Sequence, residues 1–297
     1  MPGKNSGNKL YILTIDLEEW FHILDLESLA DSANWDLFEV RIYRNAYRII
    51  KVLQENKISA TFFVLGWIAK KYPDLVKYIS DQGHEIGTHS QHHLLIYKSK
   101  PELFKKDLIE SIELIQSIIN KEVIAFRAPG FSIKRDSLWV FKILADIGIL
   151  YDSSIFPAIR GHGGISDFHF TTPFLLAVDG KIIKEFPINI FNIGKIKIPF
   201  SGGGYFRLFP FCLFKLFADN SEYIMTYFHP RDFDSSQPII KELSILRKLK
   251  CYYGLNNSFR KFKQMLDGYN FINLTTASKL IQWGKTPVLY IDKLLNY

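Results

Sequence analysis

Ser59-Ala60-Thr61-Phe62-Phe63-Val64-Leu65 and Gly83-His84-Glu85-Ile86-Gly87-Thr88-His89-Ser90-Gln91-His92-His93 bracket one structural unit. The first stretch is β-rich and apolar through its centre, as a parallel strand buried on both faces must be. A helical segment follows it, interrupted near Pro73 and finished before Gly83. The second stretch opens with a short strand over 85–88 and runs into histidines. Outward from this unit the rhythm repeats. Strands are expected at 9–15, 123–127, 149–152, 223–228 and 271–274, and helices at 41–55, 101–119, 136–146, 259–266 and 275–283. The helix over 41–55 rests on Ile42, Ala46, Ile49, Ile50 and Leu53, which share one face at helical spacing.

Repeated strand–helix units with apolar strands define an α/β chain: a parallel sheet with helices outside, open or closed. Active sites of such sheets lie at the C-terminal ends of the strands. Asp16, His89, Arg127, Asp152 and His229 all fall at or just after those ends, which argues for one shared site. Residues 155–220 break the rhythm. They carry Gly161, Gly163, Gly164 and the triplet Gly202-Gly203-Gly204 among many aromatic residues, and read as an insertion over the strand ends within a single domain, 1–297. The last residues, 287–297, are apolar and basic and suggest a docked terminal helix.

Composition sets bounds. The chain has 297 residues, 47% of them hydrophobic, with 25 Phe and 15 Tyr, enough for a large core. No stretch reaches the roughly 18–20 unbroken apolar residues of a membrane span. The polar start, 1–9, has no apolar signal-peptide core, so a cytoplasmic protein is expected, with work at the cytoplasmic face of the membrane open to it. Cys212 and Cys251 give no disulfide framework. The formal charge of +7 is spread through helices beside glutamates, with no run of five or six like charges. A solvated basic surface is the first reading, an anionic glycan or lipid head group the second, and nucleic acid is not expected.

His89 and His93 are four residues apart, so one helical turn would aim both imidazoles the same way. Two imidazoles and a carboxylate suit one divalent metal, zinc first, with cobalt, nickel or iron able to bind similar sites. Asp16, Glu18 and Glu19 close the first strand. Alternation puts Asp16 and Glu18 on one side, making Glu18 the ligand and Asp16 the base, whereas a turn starting at Leu17 would present Glu19 instead. His92 is expected to face solvent and His84 to pack. Arg127-Ala128-Pro129-Gly130-Phe131 joins a strand end to a turn, where a backbone N–H at Gly130 or Phe131 is placed to meet an oxyanion and Arg127 to hold the base. His229, just past an apolar strand, suits proton delivery to a leaving amine.

Thr14-Ile15-Asp16, His89-Ser90-x-x-His93, Arg127-x-Pro129, Tyr151-Asp152-Ser153-Ser154 and Phe228-His229-Pro230, in that order, resemble the polysaccharide deacetylases of the NodB-homology type over about residues 10–280. The resemblance implies a distorted (β/α) barrel and a divalent metal, usually zinc, serving hydrolysis of N-acetyl groups on amino sugars. By position, Asp16 resembles the general base, His89 and His93 the metal ligands, Arg127 the partner orienting the base, His229 the general acid, and Asp152 the acid that tunes that histidine. The first motif departs from the adjacent aspartates of the common form, and Gly130 stands where an aromatic residue usually follows the proline. The usual tryptophan of the fourth motif is missing, so Phe131 or Phe156 is expected to wall the acetyl pocket. Gly202-Gly203-Gly204-Tyr205-Phe206-Arg207 looks like a feature of a subgroup tied to bacterial surface-polysaccharide assembly. The implied substrate is an N-acetylated amino sugar, free, carrier-linked or polymeric. Rival readings are a deformylase acting on a lipid-linked amino sugar, and an inactive glycan-binding barrel.

Overall fold

The computed structural model describes residues 9–26, 29, 31–166, 168–194 and 196–291. Its chain alternates strand and helix from the start: β1 (Leu10–Ile12), β2 (Thr14–Leu17), α1 (Ile42–Glu55), β3 (Thr61–Val64), α2 (Gly66–Lys71), α3 (Pro73–Asp81), β4 (Glu85–Thr88), α4 (Pro101–Ile119), β5 (Ala125–Phe126), α5 (Val140–Asp146) and β6 (Tyr151–Asp152). Strands β2 to β6 pair in parallel in the order β2-β3-β4-β5-β6, with Asp16 level with Phe63 and Val64 level with Thr88.

The first strand, expected as one piece, breaks at Leu13. β1 pairs with β11 (Tyr223–Met225) and β12 (Phe271–Ile272), whereas β2 pairs with β3. One segment therefore belongs to two sheets and bends the whole into a distorted (β/α) barrel. The seam is tied by the Thr14 amide donating to the Thr226 hydroxyl at 3.1 Å and the Asp16 amide to the Phe228 carbonyl at 2.7 Å.

Both faces of these strands are buried, hence the near-continuous apolar runs. Alternation sends Ile12, Phe63, Ala125, Tyr151, Phe186 and Met225 into the barrel interior, while Leu13, Ile15, Phe62 and Val64 meet the helices. Gly87 sits where Phe63 crosses: a Cβ there would lie 2.8 Å from that ring and 2.9 Å from the Ala125 carbonyl. Gly87→Ala is expected to lower unfolding stability by about 1–3 kcal/mol, read from the urea midpoint.

Residues 155–220 do not act as one unit over the strand ends. β7 (Phe174–Val178) and β8 (Lys181–Glu185) form a hairpin, and β8 pairs in parallel with β6, extending the main sheet. β9 (Ile190–Ile193) and β10 (Ile196–Pro199) make a separate hairpin, followed by α6 (Gly203–Leu208) and α7 (Phe211–Asp219). Beyond β11 come α8 (Ile245–Tyr252), α9 (Leu255–Gly268) and α10 (Leu274–Leu280). Where a terminal helix was expected, Val288–Tyr290 forms β13, parallel to β7 at the sheet edge. Residues 1–8 of the polar start and 292–297 of the segment read as a terminal helix lie outside the described residues. No helix among the described residues is long and apolar enough to cross a membrane.

Candidate metal centre and its acid–base partners

Glu18, one residue beyond β2, places Oε1 2.9 Å from His89 Nε2 and 2.8 Å from His93 Nε2, with all three residues buried. The histidines do not sit on a helical turn. They lie on an irregular segment after β4 in which Ser90 and His93 adopt left-handed backbone angles, φ 64° and 57°. Such residues cost energy and persist only where the surroundings hold them. Here the Gly66 amide donates to the Ser90 carbonyl at 2.8 Å, the Trp67 amide to Gln91 at 3.0 Å, and the Gln91 amide to Asp107 Oδ2 at 2.8 Å. Asp107 also takes His92, Nδ1 to Oδ1 at 2.8 Å, so His92 braces the segment from its half-exposed position. His84 packs at depth, where burial draws its imidazole down to about 4.

The residues present fit a divalent cation. His89 Nδ1 faces the Arg127 carbonyl at 2.7 Å, which assigns its proton there and leaves the lone pair on Nε2. That buried Nε2 makes no well-aligned hydrogen bond and turns its lone pair to the Glu18 carboxylate 2.9 Å away, an unfavourable pairing that a cation between them would relieve. Burial would raise the Glu18 carboxyl, yet the imidazoles of His93 and His89 beside it hold it well below the ordinary range. Two imidazole nitrogens and a carboxylate oxygen, all within 4.8 Å of one another, form a donor set of the zinc type.

Glu19 is not a ligand. Its Oε1 accepts the amides of Arg41 at 2.7 Å and Ile42 at 2.8 Å, capping α1, and its Oε2 accepts Trp20 N at 3.2 Å. Burial outweighs these donors and raises its carboxyl to about 7. Glu19→Ala leaves the first amides of α1 without a partner. It should lower stability by about 1–2 kcal/mol in denaturant melts while metal content stays as in the wild type.

Beside the cluster stand the candidate acid–base residues, Asp16 and His229. Arg127, fully buried, donates from Nη1 to Asp16 Oδ1 at 2.7 Å and to Thr14 Oγ1 at 2.6 Å, and from Nη2 to Ser153 Oγ at 2.8 Å. Its guanidinium lies 4.3 Å from the centre of the Phe63 ring. This leaves Asp16 Oδ2 facing His229, 3.7 Å from Nε2. Asp16, Glu18 and His229 form a second group of closely placed donors, so the residues expected as base, ligand and acid converge.

The acid that tunes His229 is Asp232, not Asp152. Asp232 Oδ2 accepts both the His229 backbone amide and Nδ1, each at 2.9 Å, in a short 3-10 turn over Pro230–Phe233. Burial alone would depress His229, but Asp232 and then the charges of Glu18 and Asp16 raise it to about 9. Burial likewise pushes against ionised Asp232, and Arg207, 3.3 Å away, together with His229 brings it down to about 2. Asp152 lies behind Arg127, accepting Ser154 Oγ at 2.6 Å and facing Glu185. Burial raises both carboxyls, Glu185 the more strongly. The Ser154 hydroxyl in turn receives the Ala128 amide at 2.8 Å, so Asp152 supports the turn after Arg127.

That turn carries Gly130 at φ 60° and Phe131 at φ 53°. The Phe131 amide already donates to the Ala128 carbonyl at 3.0 Å, which leaves Gly130 as the candidate oxyanion donor. The Phe131 ring is buried beneath the site, edge-on to Phe156 at 5.4 Å and Tyr227 at 5.1 Å, so neither Phe131 nor Phe156 stands free as a pocket wall. Over Gly130 lie Leu24, Leu95 and His162, each within 4 Å of where a Cβ would stand. His162 Nε2 is 3.0 Å from Asp25, which also contacts Arg247 of α8, tying that helix to the rim.

Residues 38–148 match the profile described as polysaccharide deacetylase, and 153–279 match a domain of unknown function (DUF3473). Over 38–148, a little over a third of its length, the chain is similar to the polysaccharide deacetylase family. A peptidoglycan-N-acetylglucosamine deacetylase of Bacillus cereus is 34% identical over 83 residues, 28% of this chain and 38% of that one. The peptidoglycan-N-acetylmuramic acid deacetylase PdaA of Bacillus subtilis is 35% identical over 100 residues, 33% of each. A chitooligosaccharide deacetylase of Rhizobium leguminosarum bv. trifolii is 36% identical over 70 residues, 24% of this chain and 33% of that one. The matches thus span about a third of these relatives' lengths. A structure from Mycobacterium smegmatis, provisionally named a polysaccharide deacetylase, aligns over 97% of this chain and 94% of that one with a TM-score of 0.62 at 17% identity. Puue allantoinase aligns over 94% and 91% with a TM-score of 0.56 at 13% identity. At such identities these two likenesses speak to the fold alone.

Proposed function

We propose that this protein is a metal-dependent N-deacetylase acting on an N-acetylated amino sugar of a glycan or of its precursor. The observation that carries the reading is the buried convergence of His89 Nε2, His93 Nε2 and Glu18 Oε1 beside two opposed proton carriers, Asp16 and His229. Glu18, His89 and His93 would hold the cation. When bound, it supplies Lewis-acid polarisation of the acetamide carbonyl and acidifies water. Arg127 fixes one oxygen of Asp16, and the other is left to take the proton of the attacking water. The Gly130 amide is the group offered to the developing oxyanion. His229, protonated through Asp232, delivers its proton to the amide nitrogen as the C–N bond breaks, releasing acetate and a free amine.

The deciding experiment is elemental analysis of the purified protein and of His89→Ala, followed by an acetate-release screen on N-acetylated amino sugars. The wild type should retain about one zinc-class ion per chain and His89→Ala next to none. A wild type that binds no metal after incubation with zinc and removal of the excess would overturn the reading.

A further inference from the structure

We propose that α8 is an interfacial helix that seats the rim of the barrel on an anionic lipid bilayer. A surface helix of a soluble protein ordinarily turns its apolar face inward. α8 does the reverse: Cys251 is its buried residue, while Ile245, Leu246 and Leu249 are 78%, 73% and 54% exposed. Tyr253, immediately after the helix, is 56% exposed. Spacings of three and four residues make Ile245, Leu246, Leu249 and Tyr253 one continuous stripe rather than scattered apolar residues.

The charge around the stripe selects its occupant. Between 238 and 266 the chain carries seven cations, Lys241, Arg247, Lys248, Lys250, Arg260, Lys261 and Lys263, against one carboxylate, Glu242. Lys261 is buried, its ammonium donating to the Phe209 carbonyl, and Arg247 pairs with Asp25. Lys241 and Lys250 are exposed, and Lys248, half-buried, reaches the Lys241 carbonyl at 2.8 Å. A short helix with an exposed apolar stripe and lysines beside it fits the headgroup–acyl boundary of an anionic leaflet. Through Arg247, Asp25 and His162 the same helix is anchored to the turn at Gly130. A bilayer under α8 would therefore lie alongside the mouth of the site.

Co-sedimentation with vesicles of phosphatidylcholine, alone or mixed with phosphatidylglycerol, tests this without any use of activity, so its outcome is independent of the catalytic reading. The wild type should pellet with the mixed vesicles and not with phosphatidylcholine alone. The triple variant Ile245→Ser, Leu246→Ser, Leu249→Ser should lose at least about tenfold in partitioning. Its unfolding midpoint and metal content report that the barrel is intact, and Lys248→Glu with Lys250→Glu provides a second variant that leaves the apolar stripe in place and should also lose binding. Failure of the wild type to pellet with mixed vesicles, or undiminished pelleting of the triple variant, would overturn the proposal. So would a solution dimer that the triple variant splits, since a second copy would then cover the stripe.

Discussion

Asp232→Asn should lower turnover by about 10²–10⁴-fold at neutral pH, because it removes what keeps the acid charged. In the wild type, burial works against protonated His229 and the Asp232 carboxylate overrides it, for a result near 9. The proton is therefore in place at pH 7, and activity should decline as pH rises through the folded value. A bound cation adds positive charge nearby and pulls that limb down in both proteins. Without the Asp232 charge, burial prevails and the imidazole loses its proton at lower pH. The alkaline limb of the pH–rate profile should thus move to lower pH in the variant, with partial recovery of rate on acidification. A uniform drop with an unmoved limb would show that Asp232 merely positions the ring. Stability carries the same linkage. The raised His229 contributes stability that is whole below about 6.5 and lost as pH climbs toward 9. The depressed Asp232 contributes stability present above 3.8 and lost as pH falls toward 2.

Arg127→Leu should cost about 3–5 kcal/mol of folding stability, the scale for stripping one partner from a buried ion pair. Asp16 would be left buried with only His229, 3.7 Å away, to offset its charge, and the Ser153 and Thr14 hydroxyls would each lose a contact to the guanidinium. Arg127→Lys should recover only part of the loss, since an ammonium cannot reproduce donation from three nitrogens in a fixed plane. Urea melts of the two variants, and of Asp16→Asn with Arg127→Leu together, check the assignment. The double variant should be less destabilised than the sum of the singles, because the isolated carboxylate charge is gone.

Much of this site was legible because its residues punctuate strong local patterns. The strand over 85–88 and the helix over 101–119 match expectation residue for residue, the one preceded by Gly83 and the other bounded by Pro101 and a left-handed Asn120. Spacing alone misleads at His89 and His93. Four residues suit a helical turn, yet two left-handed residues bring the rings to 5.3 Å through contacts from α2 and α4, which no local pattern encodes. Asp152 matches the tuning acid by family position alone, whereas the His-x-x-Asp spacing at 229–232 is itself a local signal for Asp232. The β7–β8 hairpin likewise had its sign in Asp179-Gly180, where both residues have positive φ in a two-residue turn. Glu19 was ambiguous because its partners, the amides of Arg41 and Ile42, come more than twenty residues later.

The break at Leu13 sets an order of assembly. Glu18, His89, His93 and Arg127 all belong to the first half of the chain, and the β2-to-β5 strands that carry them pair with one another. His229 arrives only when β11 docks on β1, a closure over more than two hundred residues of sequence. Non-local pairings of this kind form late, after the intervening chain has been organised. A nascent or partly folded chain would thus gather its cation ligands before it owned a proton donor. The imidazole–carboxylate cluster and the histidine that faces it would then come together in two separate steps.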